Sequence, residues 1–88
     1  MKILIIEDSV RLADTIAEAL QNENYVVDTT NDGQLGYEHA STGIYDMIIL
    51  DLMLPKMNGY EVLSALRRDG DNVPVLILSA KTELDDKI

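Results

Sequence analysis

Met47-Ile48-Ile49-Leu50-Asp51 is four apolar residues followed by an acid. The same figure occurs near the amino terminus, where Lys2-Ile3-Leu4-Ile5-Ile6 runs into Glu7-Asp8. Runs this short and rich in Ile and Leu read as strands buried on both faces. A helical stretch separates each strand from the next, so the sheet is expected to be parallel and the fold α/β. Parallel strands bring their carboxyl ends to one edge, where ligands of open α/β sheets bind. Glu7, Asp8 and Asp51 should therefore meet in space although 43 and 44 residues separate them. Clustered carboxylates repel and raise one another's pKa unless a cation joins them, and Mg²⁺ is a hard cation suited to oxygen ligands.

Working outward, Val10 to Glu23 is expected to be a helix with Leu12, Ile16 and Leu20 inward and Ala13, Ala17 and Ala19 widening the stripe. Asp8 or Ser9 can cap it, and Asn24 suits a left-handed position at its end. Tyr25 to Thr30, with four β-branched residues, predicts a second strand. After the turn Asn31-Asp32-Gly33 comes a weak helix to about Thr42, anchored chiefly by Leu35 and Ala40 and ended by Gly43. Beyond Asp51, Leu52 to Asn58 reads as a loop and Gly59 as a tight turn. Tyr60 to Arg68 reads as a helix with Val62, Leu63 and Leu66 inward. Val73 to Leu78 is a fourth strand, with Pro74 tolerable at its start. Thr82 and Asp85 resemble a capping box opening a further helix.

The chain has 88 residues, no Cys and a net charge of −9. A thiolate nucleophile, a disulfide and a Cys-type metal site are excluded. The acidic balance argues against this segment itself holding nucleic acid, which needs a basic footprint. Met1 leads directly into a core strand, with no charged-then-apolar leader, which predicts a soluble, cytoplasmic chain. The four tyrosines are scattered and offer no stacking platform. His39 reads as a solvent-facing helix residue.

Ile48-Ile49-Leu50 followed by Asp51-Leu52-Met53-Leu54-Pro55-Lys56-Met57-Asn58-Gly59 resembles the phosphoacceptor segment of bacterial response-regulator receiver domains. Glu7-Asp8 resembles that family's acidic pair, and Val73 to Ala80 its fourth strand, ending in a switch hydroxyl at Ser79. The three motifs stand in the family's order. The wording Met-Leu-Pro-x-Met-x-Gly most resembles receivers attached to OmpR-type winged-helix domains. The resemblance implies a flavodoxin-like doubly wound sheet of order 2-1-3-4, with the family's fifth strand and last helix absent from this chain. It also implies that Asp51 takes a phosphoryl group from a sensor histidine kinase. Mg²⁺ would be held by Glu7, Asp8, Asp51 and the Met53 backbone carbonyl, and Ser79 would donate to a phosphoryl oxygen. DNA would be reached only through an output domain outside residues 1–88. The family's Lys at the end of its fifth strand is not in this chain, and Lys81 should not be mistaken for it. Either the chain is a fragment or a partner chain supplies what is missing. On its own it is expected to take up little stable phosphate and to self-associate, through edge-to-edge pairing of fourth strands or exchange of the segment after Ser79.

Three other functions compete with this one. A phosphatase of the haloacid dehalogenase type needs a second acid two residues after its Asp, and that position is Met53. A flavodoxin places flavin phosphate after its first strand, where Glu7-Asp8 would repel it. A non-phosphorylated interaction module usually lacks part of the acidic site, and all three acids are present. For the isolated chain that last reading gains weight, because the family's Lys is missing.

Overall fold

The computed structural model describes residues 1–78. Its elements are β1 (Lys2–Ile6), α1 (Val10–Gln21), β2 (Val26–Thr30), α2 (Gly33–Ala40), β3 (Met47–Asp51), α3 (Gly59–Arg68) and β4 (Val75–Leu78). All pairings are parallel and the sheet order is β2-β1-β3-β4, as expected. β1 and β3 are buried along nearly their whole length, which is why their sequences do not alternate. Ser79, and the cap expected at Thr82 and Asp85, lie outside the described residues.

The sheet separates two apolar layers. On one face Leu4, Ile6, Ile48 and Leu50 pack against Ala40 of α2 and Val62 and Leu66 of α3. On the other, Ile3, Ile5 and Ile49 pack against Ala13 and Ala17 of α1. Tyr45, read as one of four scattered tyrosines, belongs to the first layer. Its hydroxyl donates to Asp28 at 2.7 Å, and burial is the main reason its pKa is pushed up to about 12.

Both anchoring stripes differ from expectation. In α1 the inward line is Ala13, Ile16, Ala17 and Leu20, while Leu12 and Ala19 face solvent. Leu12 sits about 100° around the helix from Ala13, so the two cannot share the line of closest approach. In α2 the buried residues are Gly33, Gly36 and Ala40, and Leu35 points outward. A Cβ on Gly36 would lie 2.6 Å from an Ile6 methyl. Small residues thus bring both helices close to the strands, where a scale of side-chain hydrophobicity does not look for anchors.

Element ends moved by one or two residues. α1 stops at Gln21 and α2 at Ala40, short of Glu23 and Thr42; β2 starts at Val26 and β4 at Val75; α3 gains Gly59. Asn24 and Gly43 have φ of 73° and 77°, as their positions required. Pro74 precedes β4, and its carbonyl accepts the Ile48 N–H at 3.0 Å.

Candidate metal and phosphoacceptor site

Each acid reaches the sheet edge by its strand. Glu7 follows Ile6 at the end of β1, and Asp51 is the last residue of β3. Register pairs Ile6 with Leu50, so the two strands end level. Ile3, Ile5 and Ile49 face α1, and alternation places Glu7 and Asp51 on that same side. Asp8 stands at the exposed mouth of the cluster. Glu7, Asp8 and Asp51 each offer a carboxylate oxygen, all within 4.8 Å of one another.

The cluster is not used for capping. Ser9 caps α1, accepting the Leu12 N–H at 3.2 Å, which leaves Asp8 free of that task. Glu7 is 4% exposed and Asp51 9%. Glu7 accepts the Ser9 N–H at 2.9 Å, and Asp51 accepts the Met53 N–H at 3.1 Å. Burial is the main reason the Glu7 pKa is raised to about 7; the Ser9 N–H opposes it, and Asp8 and Asp51 add to the rise. Among the described residues the one ion pair is Lys2–Asp28, at 3.8 Å, so no cation among those residues neutralises the cluster. Three carboxylates this close repel one another unless a cation joins them. The donor set, all oxygen, fits Mg²⁺.

The residues around the acids are backbone scaffolding that the sequence reading passed over. The Glu7 N–H donates to the Thr30 carbonyl at 3.0 Å, and Asn31 Nδ2 donates to the Glu7 carbonyl at 2.9 Å. Asn58 and Glu61 form a capping box at α3, each bond 2.9 Å, and the Asn-x-x-Glu spacing was the available signal. Lys56 adopts φ 71°, and nothing in its side chain announces that. Met53 is 59% exposed, and its backbone N–H makes its hydrogen bond to Asp51. His39 is exposed and bonds within its own helix, to the Leu35 carbonyl at 2.9 Å. A cavity of about 560 Å³ opens beside the acids, lined by Asp8, Leu52, Met53, Leu54, Asn58 and Tyr60.

Residues 3–88 match the family described as response regulator receiver domain. The chain is 45% identical over 87 residues to the transcriptional regulatory protein CiaR of Streptococcus pneumoniae, covering 99% of this chain and 38% of that protein. The response regulator ArlR of Staphylococcus aureus is also 45% identical over 87 residues, with 99% and 39% covered. The chain thus spans about two fifths of the length of these relatives. Among solved structures, the response regulator TrrA of Thermotoga maritima, in complex with Mg²⁺ and BeF, superposes with a TM-score of 0.87. It is 28% identical, with 99% of this chain and 76% of that chain covered. A Francisella receiver domain gives 0.86 at 32% identity, covering 90% and 65%.

Proposed function

The chain belongs to the response regulator receiver domain family, and from that premise we propose that it accepts a phosphoryl group on Asp51 from a sensor histidine kinase, with Mg²⁺ bound. The observation that carries this reading is the meeting of three carboxylates within 4.8 Å at the carboxyl edge of the sheet. Glu7, Asp8 and Asp51, with the Met53 carbonyl, would hold the metal. Bound Mg²⁺ supplies positive charge where an anionic phosphoryl group must approach anionic side chains. One Asp51 oxygen attacks phosphorus in line, the P–N bond to the donor imidazole breaks, and an acyl phosphate forms. The Met53 N–H, bonded to Asp51 Oδ1, fixes the carboxylate plane and leaves Oδ2 for attack. Ser79, one residue past β4, would donate its hydroxyl to a phosphoryl oxygen. In this reading the chain is an acceptor rather than an enzyme, with at most intrinsic loss of its own phosphate. Its charge would control an OmpR-type winged-helix DNA-binding domain elsewhere in a longer cytoplasmic protein.

The test is phosphoryl transfer to the full-length product that carries this chain, from a phosphohistidine donor, with the modified residue mapped by mass. Label is expected on Asp51 alone, acid-stable but base-labile relative to phosphohistidine. Label that persists in Asp51→Ala would refute the assignment.

A second reading, a non-phosphorylated oligomerising module, rests on β4. It is the edge of the described sheet, and Leu76 and Ile77 are 50% and 39% exposed. Open, apolar edges template pairing with another chain. Light scattering of the 88-residue chain should then give a dimer or larger. A monodisperse, cooperatively folding monomer rules this reading out.

A further inference from the structure

The acids are held by strands, but the loop that orients Asp51 is held from elsewhere. Residues 52–58 leave β3 and enter α3. At the α3 end the loop is fixed by Gly59, whose N–H donates to the Leu52 carbonyl at 3.1 Å. A Cβ there would lie 2.4 Å from the Asp51 carbonyl oxygen. In its middle the loop is fixed by Gly33, the first residue of α2. The Gly33 N–H donates to the Pro55 carbonyl at 3.2 Å, which also accepts the Met57 N–H at 2.8 Å. A Cβ on Gly33 would lie 1.5 Å from the Met57 carbonyl oxygen and 2.5 Å from its carbon. The obstacle is backbone, so no rotamer change relieves it. Lys56, between the two residues gripped, carries the left-handed φ that the loop needs to reach Gly33. Gly33 itself is set by Asp32, whose side chain accepts the Leu35 N–H at 2.8 Å.

We propose that Gly33 is a positioning residue for the acidic site: by clamping Pro55 to Met57 from the start of α2, it holds Met53, and through the Met53 N–H the Asp51 carboxylate, in the arrangement that binds a divalent cation. The inference rests on the reading of Glu7, Asp8 and Asp51 as a cation site. It assigns to the β2–α2 turn a part in a site to which it contributes no ligand. A Cβ at Gly33 moves the loop outward by more than an ångström, and Met53 lies two residues from the displaced segment. Groups that orient a ligand without touching the metal typically change affinity about 10–100-fold.

Mn²⁺ binding to the full chain by calorimetry tests it. Gly33→Ala should weaken binding at least about tenfold. Ala17→Gly, which destabilises α1 on the opposite face of the sheet, should leave the affinity of the folded chain within about twofold of wild type. Unchanged affinity in Gly33→Ala overturns the clamp. No binding by wild type overturns the cation reading first, and the clamp with it. Should the alanine variant fail to fold, wild type alone decides, because coupling is reciprocal. Saturation with Mg²⁺ should then slow hydrogen exchange at the Gly33 amide more than at the Gly36 amide, one turn on, which bonds to the Asp32 carbonyl within the helix. Equal slowing at the two amides overturns the clamp.

Discussion

Replacing Asp8 and Asp51 together by Asn is expected to abolish the heat of Mg²⁺ or Mn²⁺ binding in calorimetry, with the fold retained. Both substitutions are isosteric, Asp8 is exposed, and among the described residues the Asp51 side chain makes one hydrogen bond, through an oxygen that the Asn amide retains. The wild-type heat should also depend on pH in a direction set by Glu7. Burial pushes its pKa in the folded chain up to about 7, from an ordinary value of 4.5. A cation needs the ionised form, so affinity falls by up to roughly tenfold per pH unit below about 7, and levels off above it. Stability without metal runs the other way. Between 4.5 and about 7 the folded chain holds a proton that the unfolded chain has released, so this contribution is fully present below 4.5 and is lost as pH rises through 7. Glu7→Gln removes that slope, and saturating Mg²⁺ restores stability above pH 7. Chemical denaturation at several pH values, with and without metal, reads all three. Equal binding heats in wild type and the double variant would sink the cation site.

Leu50→Ala should cost about 2–5 kcal/mol, against a total stability of roughly 4–13 kcal/mol for a chain of this length. Leu50 is fully buried, lies in a strand paired on both sides, and packs in the layer formed with α2 and α3. It also immediately precedes Asp51, so a chain weakened there loses the platform of its site. Leu12→Ala, of the same chemistry, should stay within about 0.5 kcal/mol, because Leu12 is 44% exposed. Urea unfolding followed by circular dichroism separates the two. A Leu12 variant as damaging as the Leu50 variant would mean that α1 buries a face other than the Ala13–Ala17 line.

The contrast between these leucines marks where the sequence was legible. Strand sequences such as Ile3-Leu4-Ile5-Ile6 and Met47-Ile48-Ile49-Leu50 carry their burial in their composition, and each acid announces itself by ending one. Parallel topology followed from the alternation of elements, and with it the convergence of Glu7, Asp8 and Asp51. Helix faces were less legible, because in α1 and α2 the approach distance is set by Ala13, Ala17, Gly33 and Gly36 rather than by the largest apolar side chains. The loop was least legible. Its shape comes from backbone contacts, Gly33 to Pro55 and Gly59 to Leu52, between residues whose side chains say nothing about partners. Lys56 shows the limit: its left-handed φ is imposed by what surrounds it.

The central place of β1 has a consequence for the birth of the chain. β1 is made first, yet Ile3 pairs with Val27 on one side and Met47 on the other. At about 5–20 residues per second, a ribosome needs roughly 2–9 s after Ile3 to add the residues that flank it. For the first part of that interval an Ile-Leu-Ile-Ile tract has neither of its neighbours, and until Met47 is made it still lacks β3. Synthesis speed over residues 7–47, and any chaperone that meets the nascent tract, should therefore affect yield more than codon choice downstream of β3.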